Sequence, residues 1–146
     1  MKTTDLVNSA AKFIQIHTNQ SYQESKIEAE EIFMHVLGIN KSKIYTDISI
    51  SMTKDEHDQI SRILNKRKRD IPLSYVLKKH SFYNHEFFVD ENVLIPRPET
   101  ENIIDQIITQ GDKLYRDIKR CNFLDAGCGS GCVGICLLYT SPSPRD

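Results

Sequence analysis

Hydrophobic side chains in the first half of the chain recur at helical spacing. Apolar positions three and four residues apart lie on one side of a helix. In a first segment that side carries Leu6, Ala10, Phe13, Ile14 and His17. Between Ser21 and Gly38 a second such side carries Ile27, Ala29, Ile32, Phe33, Val36 and Leu37. The pattern predicts amphipathic helices that bury these sides against one another.

The ends of these helices carry their own signals. Ser21 with Glu24, and Thr53 with Glu56, have the three-residue spacing of a capping box. Gly38 stands where a helix commonly ends in a left-handed residue. Helices are therefore predicted to begin after Ser21 and at Thr53, and the second helix is predicted to end at Gly38.

A third long helix, starting at Thr53, is predicted to bury Ile60, Ile63 and Leu64. It is predicted to end before Pro72, because the residue before a proline is pushed out of the helical region. Residues 42–47 (SKIYTD) predict a short turn of helix between the second and third helices. Residues 1–72 are thus predicted to form a helical bundle.

The hydrophobic period changes near residue 73. Residues 73–98 begin rich in β-branched and aromatic side chains and contain Tyr-Asn and Asp-Glu-Asn as candidate turns, so one or two hairpins are predicted. The next stretch returns to the helical period, and Gly111 is predicted to close that helix. Residues 121–127 (CNFLDAG) predict a short strand that runs into a glycine-rich turn. The apolar side of the helix carries Ile103, Ile104, Ile107 and Ile108.

Charge and hydropathy exclude two classes of protein. The chain has 19 Lys and Arg against 20 Asp and Glu, so as a whole it is not a polyanion binder. The basic run from Lys66 to Arg69 is predicted to be a solvated helix end. No apolar run is long enough to span a membrane, and the first residues lack the profile of a signal peptide. A cytoplasmic protein without direct nucleic-acid binding is predicted.

Four cysteines, Cys121, Cys128, Cys132 and Cys136, lie within sixteen residues. A secreted disulfide framework would spread them along the chain, so reduced thiols are predicted. Iron–sulfur ligand runs space their cysteines differently. We therefore predict small buried residues and no metal site.

The stretch LDAGCGSGCVG places Asp125 at a strand end, followed by Gly127, Gly129 and Gly131. Glycine permits a left-handed backbone and lets the main chain approach a ligand closely. The helix that follows offers unpaired N–H groups at its N-terminus. A dinucleotide loop fits poorly, since Gly131 or Cys132 would have to serve as its third glycine. A plain structural turn remains a second alternative.

A second stretch, IPRPETE, places Arg97 between Pro96 and Pro98. The prolines fix φ and hold the arginine in extended backbone. Glu99 and Glu101 fall in the first turn of the following helix, where negative charge is favourable. These features are sufficient for a rigid connector that leads into a capped helix. A connector does not explain why an arginine stands between the two prolines.

The stretch VLIPRPETE, followed by LDAGCGSG, resembles the release-factor glutamine N5-methyltransferase family (PrmC/HemK). The upstream stretch is similar to the same family, with Pro72, Tyr75, Phe82 and Phe87 at matching places. The chain departs from the family pattern at four positions. Lys78 and Asn84 stand where glycine is usual, and Ala126 and Cys128 replace commoner residues. Asparagine tolerates a positive φ, whereas lysine at residue 78 is less comfortable.

The resemblance implies an α + α/β chain: a release-factor-binding helical bundle (1–72), a β-hairpin linker (73–98) and the truncated start of a class I, Rossmann-like methyltransferase domain (99–138). A βαβ unit needs about thirty residues, and only 15 follow Gly131. Residues 139–146, with two prolines where a helix should continue, are predicted to be a non-native tail. Phe123, Leu124, Val133, Ile135 and Leu137 are then expected to be partly exposed.

The resemblance also implies a site and a reaction. The cofactor would be S-adenosyl-L-methionine, with Asp125 near its ammonium group and Pro96, Arg97 and Pro98 walling the site. The amino-acid end of the cofactor would be lined by Gly127, Cys128, Gly129, Ser130 and Gly131. The methyl group would pass to the glutamine amide in the Gly-Gly-Gln motif of a peptide chain release factor.

No catalytic residue is named, because the family's Asn-Pro-Pro-Tyr motif is not in the chain. The truncated chain is therefore expected to be an inactive monomer that binds the cofactor weakly. One alternative is a ribosomal-protein glutamine methyltransferase, but members of that family resemble PRSP at the place where this chain has PRPETE. A second alternative is a non-catalytic module that binds release factor. Contact of the basic run at residues 66–69 with ribosomal or release-factor surfaces is a further hypothesis.

Overall fold

The computed structural model describes residues 2–46, 51–114 and 123–140. The chain divides into two compact units, which we call the N-terminal unit (Met1–Val76) and the C-terminal unit (Leu77–Asp146). The N-terminal unit ends a few residues beyond the predicted end of the bundle at residue 72. Each unit has its own cluster of buried hydrophobic residues.

The N-terminal unit is helical. Its elements are α1 (Thr3–His17), α2 (Tyr22–Leu37), α3 (Lys41–Tyr45) and α4 (Lys54–Arg67), and α5 (Leu73–Leu77) spans the boundary between the units. The first, second and fourth helices pack on one another because their apolar stripes face inward. The core consists of Val7, Ala10, Ala11, Ile14, Ala29, Ile32, Phe33, Ile44 and Ile60.

Both predicted capping boxes are confirmed. The Ser21 N–H donates to Glu24 Oε2 (2.8 Å), and the Glu24 N–H donates to Ser21 Oγ (3.2 Å). Thr53 and Glu56 exchange the equivalent bonds at 2.7 and 3.3 Å. Gly38 ends α2 with φ of 62°, the left-handed value that its position predicts.

The predicted buried side of α2 is wrong at Ile27, which is 57% exposed. The turn that contains it instead buries Ser25 and the carboxylate of Glu28. Glu28 can be buried because both of its oxygens accept from the guanidinium of Arg67 on α4. The prediction that residues 66–69 form a solvated helix end is therefore also wrong at Arg67, which is buried.

The described part of the C-terminal unit, residues 77–114 and 123–140, contains a hairpin and two helices. Strands β1 (His80–Phe82) and β2 (His85–Phe87) are antiparallel, with His80 opposite Phe87 and Phe82 opposite His85. The helices are α6 (Glu99–Leu114) and α7 (Cys132–Thr140). Their shared core consists of Phe82, Phe87, Ile104, Cys132, Cys136 and Leu137.

Three local predictions in this part of the chain are corrected. Residues 73–77 form α5 rather than a strand, because Pro72 starts a helix and its carbonyl accepts from Tyr75 N and Val76 N. Helix α6 continues through Gly111 to Leu114, because glycine weakens a helix but does not forbid it. Residues 123–125 are not in a strand, and residues 121–122 of the predicted strand lie outside the described residues.

In the described part of the chain, the β-structure consists of one two-stranded sheet, formed by β1 and β2. The mostly helical architecture with a small hairpin is compatible with the predicted helical bundle, while the Rossmann-like start stays a prediction. No helix among residues 2–46, 51–114 and 123–140 is long and apolar enough to cross a membrane.

Candidate glycine-loop site

The loop that leads into α7 has a left-handed backbone at three alternate residues. Gly127, Gly129 and Gly131 have φ of 81°, 56° and 75°. A side chain at such φ values is strained, so glycine is the residue that lets the loop take this path without strain. A Cβ added at Gly127 would meet no atom within 4 Å. The backbone conformation, and not crowding within the chain, therefore accounts for glycine here, and one side of the loop stays open.

Asp125 caps the helix that follows the loop. Its Oδ2 accepts a hydrogen bond from the backbone N–H of Gly134 at 3.2 Å. A carboxylate at a helix N-terminus is favoured by the unpaired N–H groups and the helix dipole. A carboxylate has a second oxygen that can accept from another donor, so this cap is compatible with the predicted contact to a cofactor ammonium group. That contact stays a prediction.

Ser130 carries a buried polar atom within the loop. Its Oγ is buried and has no hydrogen-bond partner among the described residues. Buried hydroxyl groups in folded proteins are nearly always paired, so an orphan in a glycine loop is a place where a ligand can complete the pairing. The open side of the loop and this hydroxyl are compatible with the predicted contact to the amino-acid end of S-adenosyl-L-methionine, which stays a prediction.

The cysteines near the loop differ in exposure. Cys132 and Cys136 are buried, as predicted, but Cys128 is exposed, which corrects the prediction for that residue. Burial raises the pKa of the Cys136 thiol. Cys121 lies outside the described residues. In the described part of the chain, no group of three or more metal-ligating side chains is present.

The Pro-Arg-Pro stretch leads into α6. Pro96 is buried, whereas Arg97 and Pro98 are exposed. The carbonyl of Arg97 accepts from Thr100 N at 2.9 Å, and that of Pro98 accepts from Glu101 N at 3.0 Å, so these carbonyls begin the helix. This is the role of a rigid helix entry. The further role of this stretch as a wall of a cofactor site stays a prediction.

Two contacts of the hairpin were missed in the sequence. Glu101 Oε1 accepts from the backbone N–H of Tyr83 at 2.8 Å, and Asp105 Oδ1 accepts from the Tyr83 phenol at 2.7 Å. The hydrogen bond to Asp105 raises the pKa of the Tyr83 phenol. The one available signal was the four-residue spacing of the two carboxylates, which places them on the same side of α6.

Comparison with known proteins agrees with the motifs. The PrmC N-terminal domain family matches residues 5–77. The chain is 31% identical over 145 residues to the release factor glutamine methyltransferase of Chlorobaculum tepidum, covering 99% of this chain and 49% of the relative. It is 33% identical over 113 residues to that of Leptospira interrogans, covering 77% of this chain and 38% of the relative.

A third relative is the release factor glutamine methyltransferase of Bacillus subtilis, 29% identical over 115 residues, 79% of this chain and 40% of the relative. The chain thus spans about half, or less, of the length of these curated relatives. The family match covers all of the described helices from α2 to α5 and most of α1. The chain belongs to the release factor glutamine methyltransferase family, and its residues 5–77 match the PrmC N-terminal domain.

Proposed function

We propose that this chain serves the transfer of a methyl group from S-adenosyl-L-methionine to the side-chain amide of a glutamine in a peptide chain release factor. The single observation that carries the proposal is the glycine loop, with its open side and the buried, unpaired Ser130 hydroxyl. The names of the relatives support the reaction and the partner. The proposal includes a cytoplasmic, monomeric protein without direct nucleic-acid binding.

The residues of this chain would bind and orient the cofactor. When bound, S-adenosyl-L-methionine supplies a methyl group made electrophilic by its sulfonium. Gly127, Gly129 and Gly131 leave room for the ligand beside the backbone, and Ser130 Oγ donates or accepts one hydrogen bond. Asp125, already held by the Gly134 N–H, offers its other oxygen to the ammonium group. Cys128 is proposed to contact the ligand through its backbone.

Alignment is the main contribution that such a site can make. An amide nitrogen and a methyl carbon react when they are held in line and close together, and proximity alone can contribute several kcal/mol. The described residues of the loop include no side chain that we assign as a general base. Pro96, Arg97 and Pro98 are proposed to wall the site, since the prolines leave the arginine backbone little freedom.

A chimera tests the proposal. Residues 1–138 would replace the aligned part of the Chlorobaculum tepidum relative, and transfer of a labelled methyl group to purified release factor would be measured. We expect transfer, and we expect Gly129→Ala to reduce it at least tenfold because residue 129 has φ of 56°. Gly38→Ala is the matched control, since Gly38 has a similar φ of 62° in the N-terminal unit.

The outcomes separate the alternatives. Equal loss in the two glycine variants would mean that the loop has no special role. Labelling of a ribosomal protein in place of release factor would favour the ribosomal-protein enzyme. Isothermal titration of the 146-residue chain with the cofactor tests the proposal that the chain by itself binds it more weakly than millimolar.

A non-catalytic role has one observation in its favour. The N-terminal unit has a core of its own and two complete capping boxes, so it has the features of a unit that folds independently. If the function is binding alone, residues 1–76 by themselves would bind release factor. Capture of release factor by that segment, with no methyl transfer by the chimera, would support this second function over the first.

A further inference from the structure

The turn between β1 and β2 has an unusual backbone. Tyr83 and Asn84 are consecutive non-glycine residues with φ of 48° and 60°. Two positive φ values in a two-residue hairpin loop correspond to a type I′ turn, for which Asn-Gly is the favoured pair. Asparagine suits the left-handed region, but tyrosine does not. Something outside the turn must hold Tyr83 in this conformation.

Helix α6 supplies that support through two carboxylates. Glu101 accepts from the backbone N–H of Tyr83, and Asp105, one helical turn later, accepts from the phenol of the same residue. Hydrogen bonds to an ionised acceptor are stronger than neutral ones. One strained residue is therefore held at its backbone and at its side chain by the same face of α6.

The hydrophobic core below the turn links it to the glycine loop. Phe82, the residue before the turn, is 2% exposed and belongs to the same cluster as Ile104, which lies between the two carboxylates in sequence. That cluster also includes Cys132 and Cys136 of α7. Because α7 begins directly after the glycine loop, α6 supports the hairpin and the loop through one core.

We infer that Glu101 is a positioning residue: it holds the strained Tyr83–Asn84 turn and so fixes the hairpin, together with Asp105, on the helices that carry the glycine loop. Glu99 and Glu101 share the first turn of α6, but Glu101 alone of the two bonds to the described hairpin. The inference goes beyond the proposed function and does not depend on it.

Hydrogen exchange of the 146-residue chain tests the inference, with Glu99→Ala as the matched control. In Glu101→Ala we expect the amide of Tyr83 to exchange at least tenfold faster, because its acceptor is gone. Glu101→Gln keeps an acceptor oxygen and should give an intermediate rate. Glu99→Ala changes the charge of the same helical turn and should leave the rate within twofold. Equal acceleration in Glu99→Ala and Glu101→Ala would overturn the inference.

A rescue experiment separates positioning of the turn from general stability of α6. The double variant Tyr83→Asn, Asn84→Gly carries the pair that a type I′ turn favours, so it no longer needs the support of Glu101. Adding Glu101→Ala to this background should accelerate exchange of the β2 amides less than threefold, although the residue 83 amide itself still loses its acceptor. An acceleration of the β2 amides as large as Glu101→Ala causes with the native turn would mean that Glu101 stabilises the helix and not the turn.

The Tyr83 phenol gives a second readout if Glu101→Ala unfolds the C-terminal unit. In Asp105→Asn, titration of the Tyr83 ring followed by carbon-13 NMR should show its pKa falling toward the ordinary value of 10.0. Glu101→Gln, which loosens the turn and also removes a nearby negative charge without removing Asp105, should shift the Tyr83 pKa in the same direction by less. An unchanged titration in both variants would overturn the inference.

Discussion

The two units of the chain use similar sequence patterns but cover their apolar faces to different extents. In the N-terminal unit, nine buried residues from four helices close one core. In the C-terminal unit, six buried residues form the core, while Leu124 (89% exposed) and Leu138 (69%) lie at the surface. Helix α6 buries Ile104 but exposes Ile103 and Ile107. Helical periodicity therefore predicts a helix, but not whether its apolar stripe is covered.

The apolar residues around the glycine loop, which the sequence predicted to be partly exposed, differ in how far they are covered. Phe123, Leu124 and Ile135 are exposed, as predicted, and Val133 is half-buried. Leu137 is buried, which corrects the prediction for that residue, because it joins the cluster of Phe82 and Ile104. Helix α7 thus buries one side against α6 and the hairpin, and leaves the other side to solvent.

The largest expected difference between the units concerns their ion pairs. Arg67 and Glu28 are almost completely buried (5% and 9% exposed), whereas Lys79 and Glu86 are more exposed (30% and 61%). Arg67→Ala should cost about 3–5 kcal/mol, because it leaves a buried carboxylate unpaired. Lys79→Ala should cost about 0–1 kcal/mol. Urea unfolding measures both, and equal losses would contradict the burial difference.

Core truncation gives the next largest effect. Ile32 is fully buried, so Ile32→Ala should destabilise the N-terminal unit by about 2–5 kcal/mol through lost contacts and a cavity. Leu124→Ala removes the same kind of side chain from an exposed position and should change stability by less than about 0.5 kcal/mol. Thermal unfolding followed by circular dichroism compares them. A large loss at Leu124 would show that this part of the chain is better packed than its exposure indicates.

Lys78 offers a smaller effect of opposite sign. Its φ is 56°, a left-handed value, at the position where the family resemblance predicts glycine. Lys78→Gly should stabilise the C-terminal unit by about 1 kcal/mol, because the side chain clash in that region is removed. Ser81→Gly in β1 is the control and should destabilise by about 0.5–1 kcal/mol. Hydrogen exchange of the hairpin amides distinguishes the two results.

The smallest effect is an acid sensitivity of the N-terminal unit. Hydrogen bonds from the Ser21 side chain and backbone lower the pKa of Glu24 from its ordinary value of 4.5, and Thr53 does the same for Glu56. A carboxyl with a lowered folded-state pKa stabilises the fold above its unfolded pKa, and that stability is lost as pH falls through the folded pKa. We expect the urea concentration at the unfolding midpoint of the N-terminal unit to decrease as the pH is lowered below about 4.5. The decrease should be smaller in Glu24→Gln.

A matched variant identifies the source of that sensitivity. Ser21→Ala removes one side of the capping box and should cost about 1 kcal/mol at neutral pH. It should also flatten the pH dependence in part, because it removes the side-chain hydrogen bond that lowers the Glu24 pKa, while the residue 21 N–H still donates to Glu24 Oε2. A pH dependence unchanged in both variants would mean that other carboxyl groups cause it.

The sequence by itself determined features that depend on residues a few positions apart. The capping boxes at Ser21 and Thr53, the left-handed end at Gly38 and the Tyr-Asn turn all rest on signals within four residues. The family was also evident from two short motifs. These features were predictable because local backbone preferences and neighbouring side chains create them.

Only the tertiary structure decided which of these local options was used. Ile27 is exposed and Glu28 is buried because Arg67, 39 residues away in sequence, supplies the charge that Glu28 needs. Helix α6 continues through Gly111, although a local signal favoured an end there. Glu101 and Tyr83 meet across 18 residues, so no local pattern could pair them. Burial and long-range hydrogen bonds depend on which elements pack together, and that is a property of the whole fold and not of any one segment.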